Sequence, residues 1–194
     1  MVNKKNLFKS ALGVLVATYT IFSAASDSSD PQFLDYQTAV SSGPFSKKVQ
    51  LNSEQRTYSL NWKESIQSEL NKQVNFSGHY RLFTAVGGKG KECSNEAWVC
   101  GWVIDKITGR IVSALPSDND GSNVYASVGD NGTPVGYPFE VDAYKDSSMI
   151  VITGQAIPLD KRANDNPVCK SVVYKFKDNE FVKLIESEDG CNID

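Results

Sequence analysis

From residue 74 to residue 185 the chain repeats one device: a short run of apolar and β-branched residues, then a tight polar turn. This device constrains the fold more than any other feature, because such runs are too short for helices and switch faces residue by residue, as strands do. Residues 79–86 alternate faces and stop at Gly87-Gly88. Residues 98–104 are rich in aromatic and β-branched side chains. Residues 110–115 answer them across Asp105-Lys106-Ile107-Thr108-Gly109, a turn in which Gly109 is free to take positive φ, so 98–115 reads as a hairpin. Residues 139–144 and 149–153, joined by Lys145-Asp146-Ser147-Ser148, form a second pair. Residues 172–176 and 181–185, joined by Lys177-Asp178-Asn179-Glu180, form a third. No parallel crossover pattern interrupts them. The expected fold is mainly β: a single antiparallel meander, sandwich-like or partial-propeller-like, with one N-terminal helix.

The helix is expected over 61–73, where Trp62, Ile66 and Leu70 recur every fourth residue and make one apolar stripe suited to covering a sheet. Asn61 is its expected N-cap, with Glu64 three residues on. A long polar stretch, 116–136, reads as a loop.

The first 25 residues read as a signal peptide. Lys4, Lys5 and Lys9 give a positive start, an apolar run follows from Ala11 to Phe22, and Ser23-Ala24-Ala25 offers the small residues a signal peptidase reads. The run is short and interrupted by Thr18 and Thr20, which suits cleavage better than a membrane span. Cleavage is expected after Ala25. The expected organisation is a signal peptide at 1–25, a flexible lead-in at 26–50 that Phe33, Leu34 and Tyr36 could tack down, and a β-rich globular domain at 51–194. The expected compartment is the periplasm or the outside of the cell.

Removing the three leader lysines from the 20 basic residues leaves 17 against 23 acidic ones, a balance near −6. That sign argues against nucleic acid and against anionic membrane surfaces as partners. Four cysteines remain, Cys93, Cys100, Cys169 and Cys191, and in an oxidising compartment an even number implies disulfides. Four cysteines allow three connectivities. The local one, Cys93–Cys100 with Cys169–Cys191, is favoured because each pair closes a short segment. A zinc site is disfavoured by the cysteine spacings and by the single histidine. No metal and no cofactor are implied.

Several motifs together resemble a group of small exported bacterial β-rich proteins. Val74-Asn75-Phe76-Ser77-Gly78-His79-Tyr80 is similar to that group's N-F-A-G-H-Y strand opening. Cys93 to Cys100 stands where the group has a cysteine-containing loop. Ile104-Asp105-Lys106-Ile107-Thr108-Gly109 then matches I-D-x-x-T-G, and Asp146-Ser147 opens a strand like the group's D-S strand. Cys169, and Tyr174 through Phe181, resemble the closing cysteine and hairpin. The resemblance spans 74–185. It implies a β-rich exported domain and carries no catalytic residue across. The two turn motifs also resemble hairpins of β-propeller blades, although too few strands are present for a full propeller.

Candidate chemistry is sparse. His79 is the only histidine, so any Ser–His or Cys–His mechanism must use it, yet it opens a strand and no nucleophile motif accompanies it. Gly87-Gly88-Lys89-Gly90-Lys91 lacks the spacing of a phosphate loop and reads as a hairpin tip presenting Lys89 and Lys91. Trp98 and Trp102 share one face of their strand, as core or as an aromatic platform. The Asp/Asn-rich stretches at 118–121 and 130–132 do not fit a calcium loop's register. Neither Glu92 with Glu96 nor Asp142 with Asp146 is fixed by spacing as a glycosidase pair. The candidate partner-binding residues are therefore His79, Lys89, Lys91, Trp98 and Trp102, with no catalytic residue assigned. The expected function is a non-enzymatic exported domain that binds a protein or a cell-envelope component, an inhibitor or immunity protein being one version. The alternative is a cell-wall-directed hydrolase using carboxylates and His79. A cleft holding His79 beside a carboxylate would favour the hydrolase; a flat surface would favour binding.

Overall fold

The computed structural model describes residues 30–87, 90–93, 96–117, 121–129, 131–158, 168–187 and 190–191. The leader, with its expected cleavage point, lies outside them, as do Lys89 and, of the two Asp/Asn-rich stretches, residues 118–120 and 130.

The strands divide between two antiparallel sheets. The first contains β1 (Tyr80–Val86), β2 (Trp98–Asp105), β3 (Arg110–Ala114), β4 (Gly121–Ala126) and β7 (Ala156–Pro158). The second contains β5 (Glu140–Ala143), β6 (Met149–Gly154), β8 (Lys170–Lys177) and β9 (Glu180–Glu186), in the order β5-β6-β8-β9. In the first sheet β2 pairs with β1 along its whole length, while its other edge is shared: β3 takes residues 102–105 and β4 takes 98 and 99. All three expected hairpins form.

β2 explains the layering. Its even residues Trp98, Cys100, Trp102 and Ile104 pack under the helix α1 (Leu60–Asn71), against Trp62, Ile66 and Leu70. The odd residues Val99 and Val103 point the other way, into a core shared with Ile150 and Ile152 of β6 and Val172, Tyr174 and Phe176 of β8. A strand buried on both faces needs apolar residues at every position, which is why 98–104 reads as a continuous run. The order of layers is thus helix, first sheet, second sheet, a sandwich with one face covered by α1.

Two expectations need correction. The N-cap of α1 is Ser59, whose hydroxyl accepts from Trp62 N; Asn61 lies inside the helix. The stretch 116–136 holds a strand, β4, because its Val124 and Tyr125 have the first sheet to pair with and Tyr125 fills the inter-sheet core. From Pro31 the lead-in follows the domain. Phe33 packs edge-on against Tyr144, and Thr38 N, Ser46 N and Gln50 N donate to Asp146, Lys106 and Gly109 carbonyls.

Candidate functional site

The N-F-S-G-H-Y segment makes a sharp turn at the lip of the first sheet. Ser77 and Gly78 take φ values of 40° and 83°, both left-handed. The turn is closed by Tyr80 N donating to Phe76 O and is tied to the second sheet by Ser77 N and Gly78 N donating to Tyr144 O and Lys145 O. Gly78 O in turn accepts from Ser41 N. A Cβ on Gly78 would lie 2.7 Å from Ala39 O, so only glycine lets the 38–41 segment pass this close.

This turn forms the floor of an open cleft of about 500 Å³. Residues 35–39 make one wall, and Lys175, Phe176, Lys177 and Asp178, at the tip of the β8–β9 hairpin, make the other. His79 lines the cleft with its side chain 31% exposed. Its ring lies over Tyr80 at 4.0 Å between centroids, and its Nε2 is 3.6 Å from Asp105 Oδ1. Tyr80 donates its hydroxyl to Asn179 Oδ1 at 3.1 Å. Burial, reinforced by the Asp105 and Asp178 carboxylates, pushes the Tyr80 phenol above its ordinary range.

Asp105 is occupied by its own turn. Oδ1 accepts from Ile107 N at 2.8 Å and Thr108 N at 3.3 Å, and Oδ2 accepts from the Thr108 hydroxyl at 2.7 Å. An orienting carboxylate in a catalytic dyad would hold the imidazole by a hydrogen bond; here the separation is beyond that range.

The other candidate residues lie elsewhere. Trp98 and Trp102 are 8% and 7% exposed beneath α1, so they are core and offer no platform; Trp102 meets Trp62 edge-on and stacks near Phe83. Lys91 is exposed in the β1–β2 connection, away from the residues that line the cleft. Beside it, Glu92 accepts from Ser59 N and from the Ser59 hydroxyl, which ties this connection to the start of α1 and commits Glu92 to that contact. Both local disulfides are present, Cys93–Cys100 and Cys169–Cys191, with Cα separations of 6.0 and 5.2 Å, so no cysteine is a free thiol. Among the described residues no group of three His, Cys, Asp or Glu side chains is placed to hold a metal, and no helix is long and apolar enough to cross a membrane.

A second polar cluster was not legible in the sequence. Glu69, buried at 6% exposure on α1, accepts from Arg81 Nε at 2.8 Å and Lys72 Nζ at 2.5 Å. Lys106, 3% exposed, donates to Leu70 O and Lys72 O at the end of α1. Burial, with Arg81 and Lys47 adding to it, holds the Lys106 ammonium below its ordinary range. The only sequence signal for this cluster is a lone glutamate beside the helix stripe.

Comparison with family models, with curated proteins and with solved structures returned no match.

Proposed function

We propose that this chain is an exported, non-enzymatic binding domain, periplasmic or secreted, that recognises a protein or a cell-envelope component through the His79 cleft. The observation that carries the reading is that Asp105, the carboxylate beside His79, has both oxygens held by its own turn, which leaves an open groove of about 500 Å³, bounded by the 35–39 segment and the β8–β9 hairpin tip, without a hydrogen-bonded His–carboxylate dyad. The signal-like leader and the two disulfides support export. Neutralising an envelope-acting enzyme, as an inhibitor or immunity protein does, is one form of such binding. The test compares capture from an envelope extract by the natural protein and by Ala39→Trp, which fills the cleft from an exposed position. A partner retained by the first and lost by the second is the expected result. Equal capture by both would reject the cleft as the binding surface.

One observation favours the hydrolase reading: His79 does lie in a cleft beside a carboxylate. The commitment of both Asp105 oxygens to the 105–109 turn weighs against it. Hydrolysis of peptidoglycan, ester or peptide substrates that falls by about two orders of magnitude in His79→Gln, with thermal unfolding unchanged, would establish the hydrolase instead.

A further inference from the structure

Two features of the cleft specify what it takes, given the binding reading above. The first is Lys175. It is half-buried on β8, its ammonium lies 5.5 Å from the centroid of the Tyr36 ring, and among the described residues it meets no carboxylate and no carbonyl. Two carboxylates also line the cleft, Asp35, whose Oδ2 accepts from Gln32 N at 3.0 Å, and Asp178, exposed and 3.9 Å from Lys177; neither pairs with Lys175. Lys175 is therefore a half-buried cation in the cleft without an ion-pair partner, held beside an aromatic face.

The second is the wall at 37–39. Tyr36 O accepts from Ser148 N and Thr38 N donates to Asp146 O, so the segment runs extended and antiparallel to 146–148, with Gln37 opposite Ser147. In that geometry the N–H and C=O of Gln37 point to the other side and have no backbone partner among the described residues, whereas Ala39 O is packed against Gly78. An extended wall with unpaired backbone groups recognises another extended backbone.

We propose that the cleft binds an extended peptide segment bearing a side-chain carboxylate, the backbone pairing with the N–H and C=O of Gln37 and the carboxylate meeting Lys175. A neutral segment leaves the Lys175 charge unanswered, and a free carboxylate without a backbone leaves the wall unpaired.

The experiment uses the full chain as recovered from cells and a panel of random eight-residue peptides immobilised in three versions: with one central Asp or Glu, with Asn or Gln in its place, and with the acidic residue kept but the flanking amides N-methylated. The acidic version is expected to bind best, with binding weakened about tenfold by the amide replacement, the loss of one charge-assisted hydrogen bond. N-methylation is expected to weaken it by a similar factor. Lys175→Met keeps the apolar stem over Tyr36 and should erase the preference for acid over amide, whereas Lys175→Arg should retain it. Raised salt should narrow the acid–amide difference. Peptides that bind equally as acid and amide, and are lost in Ala39→Trp, would overturn the carboxylate assignment while leaving the cleft as a binding surface. The absence of any peptide binder, with an envelope partner still captured through the cleft, would overturn the peptide assignment. Envelope capture unaffected by Ala39→Trp would reject the cleft as the binding surface, and the peptide assignment with it.

Discussion

Gly78 is the residue on which the cleft depends. Its φ of 83° is costly for any side chain, and the chain at Ala39 approaches within 2.7 Å of where a Cβ would sit. Gly78→Ala therefore carries a left-handed penalty of about 1–2 kcal/mol plus a clash against backbone, which cannot swing aside as a flexible side chain would. A loss of at least ~2 kcal/mol in denaturant unfolding is expected, with weakened capture of any cleft partner. A loss under ~0.5 kcal/mol would mean that the 38–41 segment yields easily. Glu69 is the second residue with a measurable consequence. Burial pushes its carboxyl up, but the hydrogen bonds from Lys72 and Arg81 outweigh that and hold it below the ordinary glutamate range. A carboxyl depressed in the fold stabilises above its unfolded pKa of about 4.3, and that contribution disappears as pH falls through the folded value. Glu69→Gln is expected to cost ~1–3 kcal/mol at pH 7, with the gap to the natural protein closing below about pH 4. A gap that stays constant from neutral to acid pH would show that the charge of Glu69 contributes nothing. His79 stood out in the sequence as the lone histidine. The cleft around it did not, because its walls come from residues about 40 positions before it and about 100 after, which no local pattern joins.

At the scale of elements, local periodicity carried far. The four-residue stripe of α1 and the three hairpins were legible because each is specified by neighbours in sequence: an apolar face of fixed period, or two runs around one turn. β4 and β7 were not. Gly121–Ala126 has two residues typical of strands, Val124 and Tyr125, and Ala156–Pro158 is three residues long and ends in proline. Both are strands because the open part of the edge of β2 accepts β4, and β4 accepts β7. Such pairings are non-local and leave little trace in composition. The start of α1 was misplaced for a related reason: its first residue, Leu60, is 74% exposed, so the apolar stripe begins only at Trp62 and hides the turn capped by Ser59. The other end of α1 depends on Lys106, reaching across from the β2–β3 turn to Leu70 O and Lys72 O. A cation suits the negative end of a helix, and these carbonyls lack donors within the helix. Lys106→Met retains the stem but leaves a buried carbonyl unsatisfied, so a loss of about 1–3 kcal/mol is expected in the unfolding midpoint. No change would show that water replaces the ammonium at no cost.

For the whole molecule, the two disulfides hold different distances along the chain. Cys93–Cys100 closes a 7-residue separation between β1 and β2, and Cys169–Cys191 closes a 22-residue separation around the open end of the β8–β9 hairpin. Further bonds gather at that second closure: the Ser171 hydroxyl donates to Cys191 O, and Ser171 N donates to the Ser187 hydroxyl at 3.1 Å. In the chain-entropy account the longer loop restricts the unfolded state more, about 3.4 against about 2.4 kcal/mol. Simple replacement of each pair by alanine does not isolate that difference of ~1 kcal/mol. Cys93 and Cys100 are both buried, whereas Cys191 is only half-buried, so the shorter bridge also loses more packing when its sulfurs are removed. Losing one extra buried methylene equivalent costs about 0.8 kcal/mol, nearly enough to mask the entropic ordering. The clean comparison keeps the sulfurs. Each single-bridge protein, Cys93→Ala with Cys100→Ala and Cys169→Ala with Cys191→Ala, is unfolded in its oxidised and its reduced form. The stability gained on oxidation is then the contribution of the remaining bridge at nearly constant packing. Cys169–Cys191 is expected to gain more by about 1 kcal/mol, read as the larger shift in denaturant midpoint. An equal or larger gain from Cys93–Cys100 would mean that the reduced, unfolded chain already keeps residues 169 and 191 close, so that the longer loop has less freedom to lose.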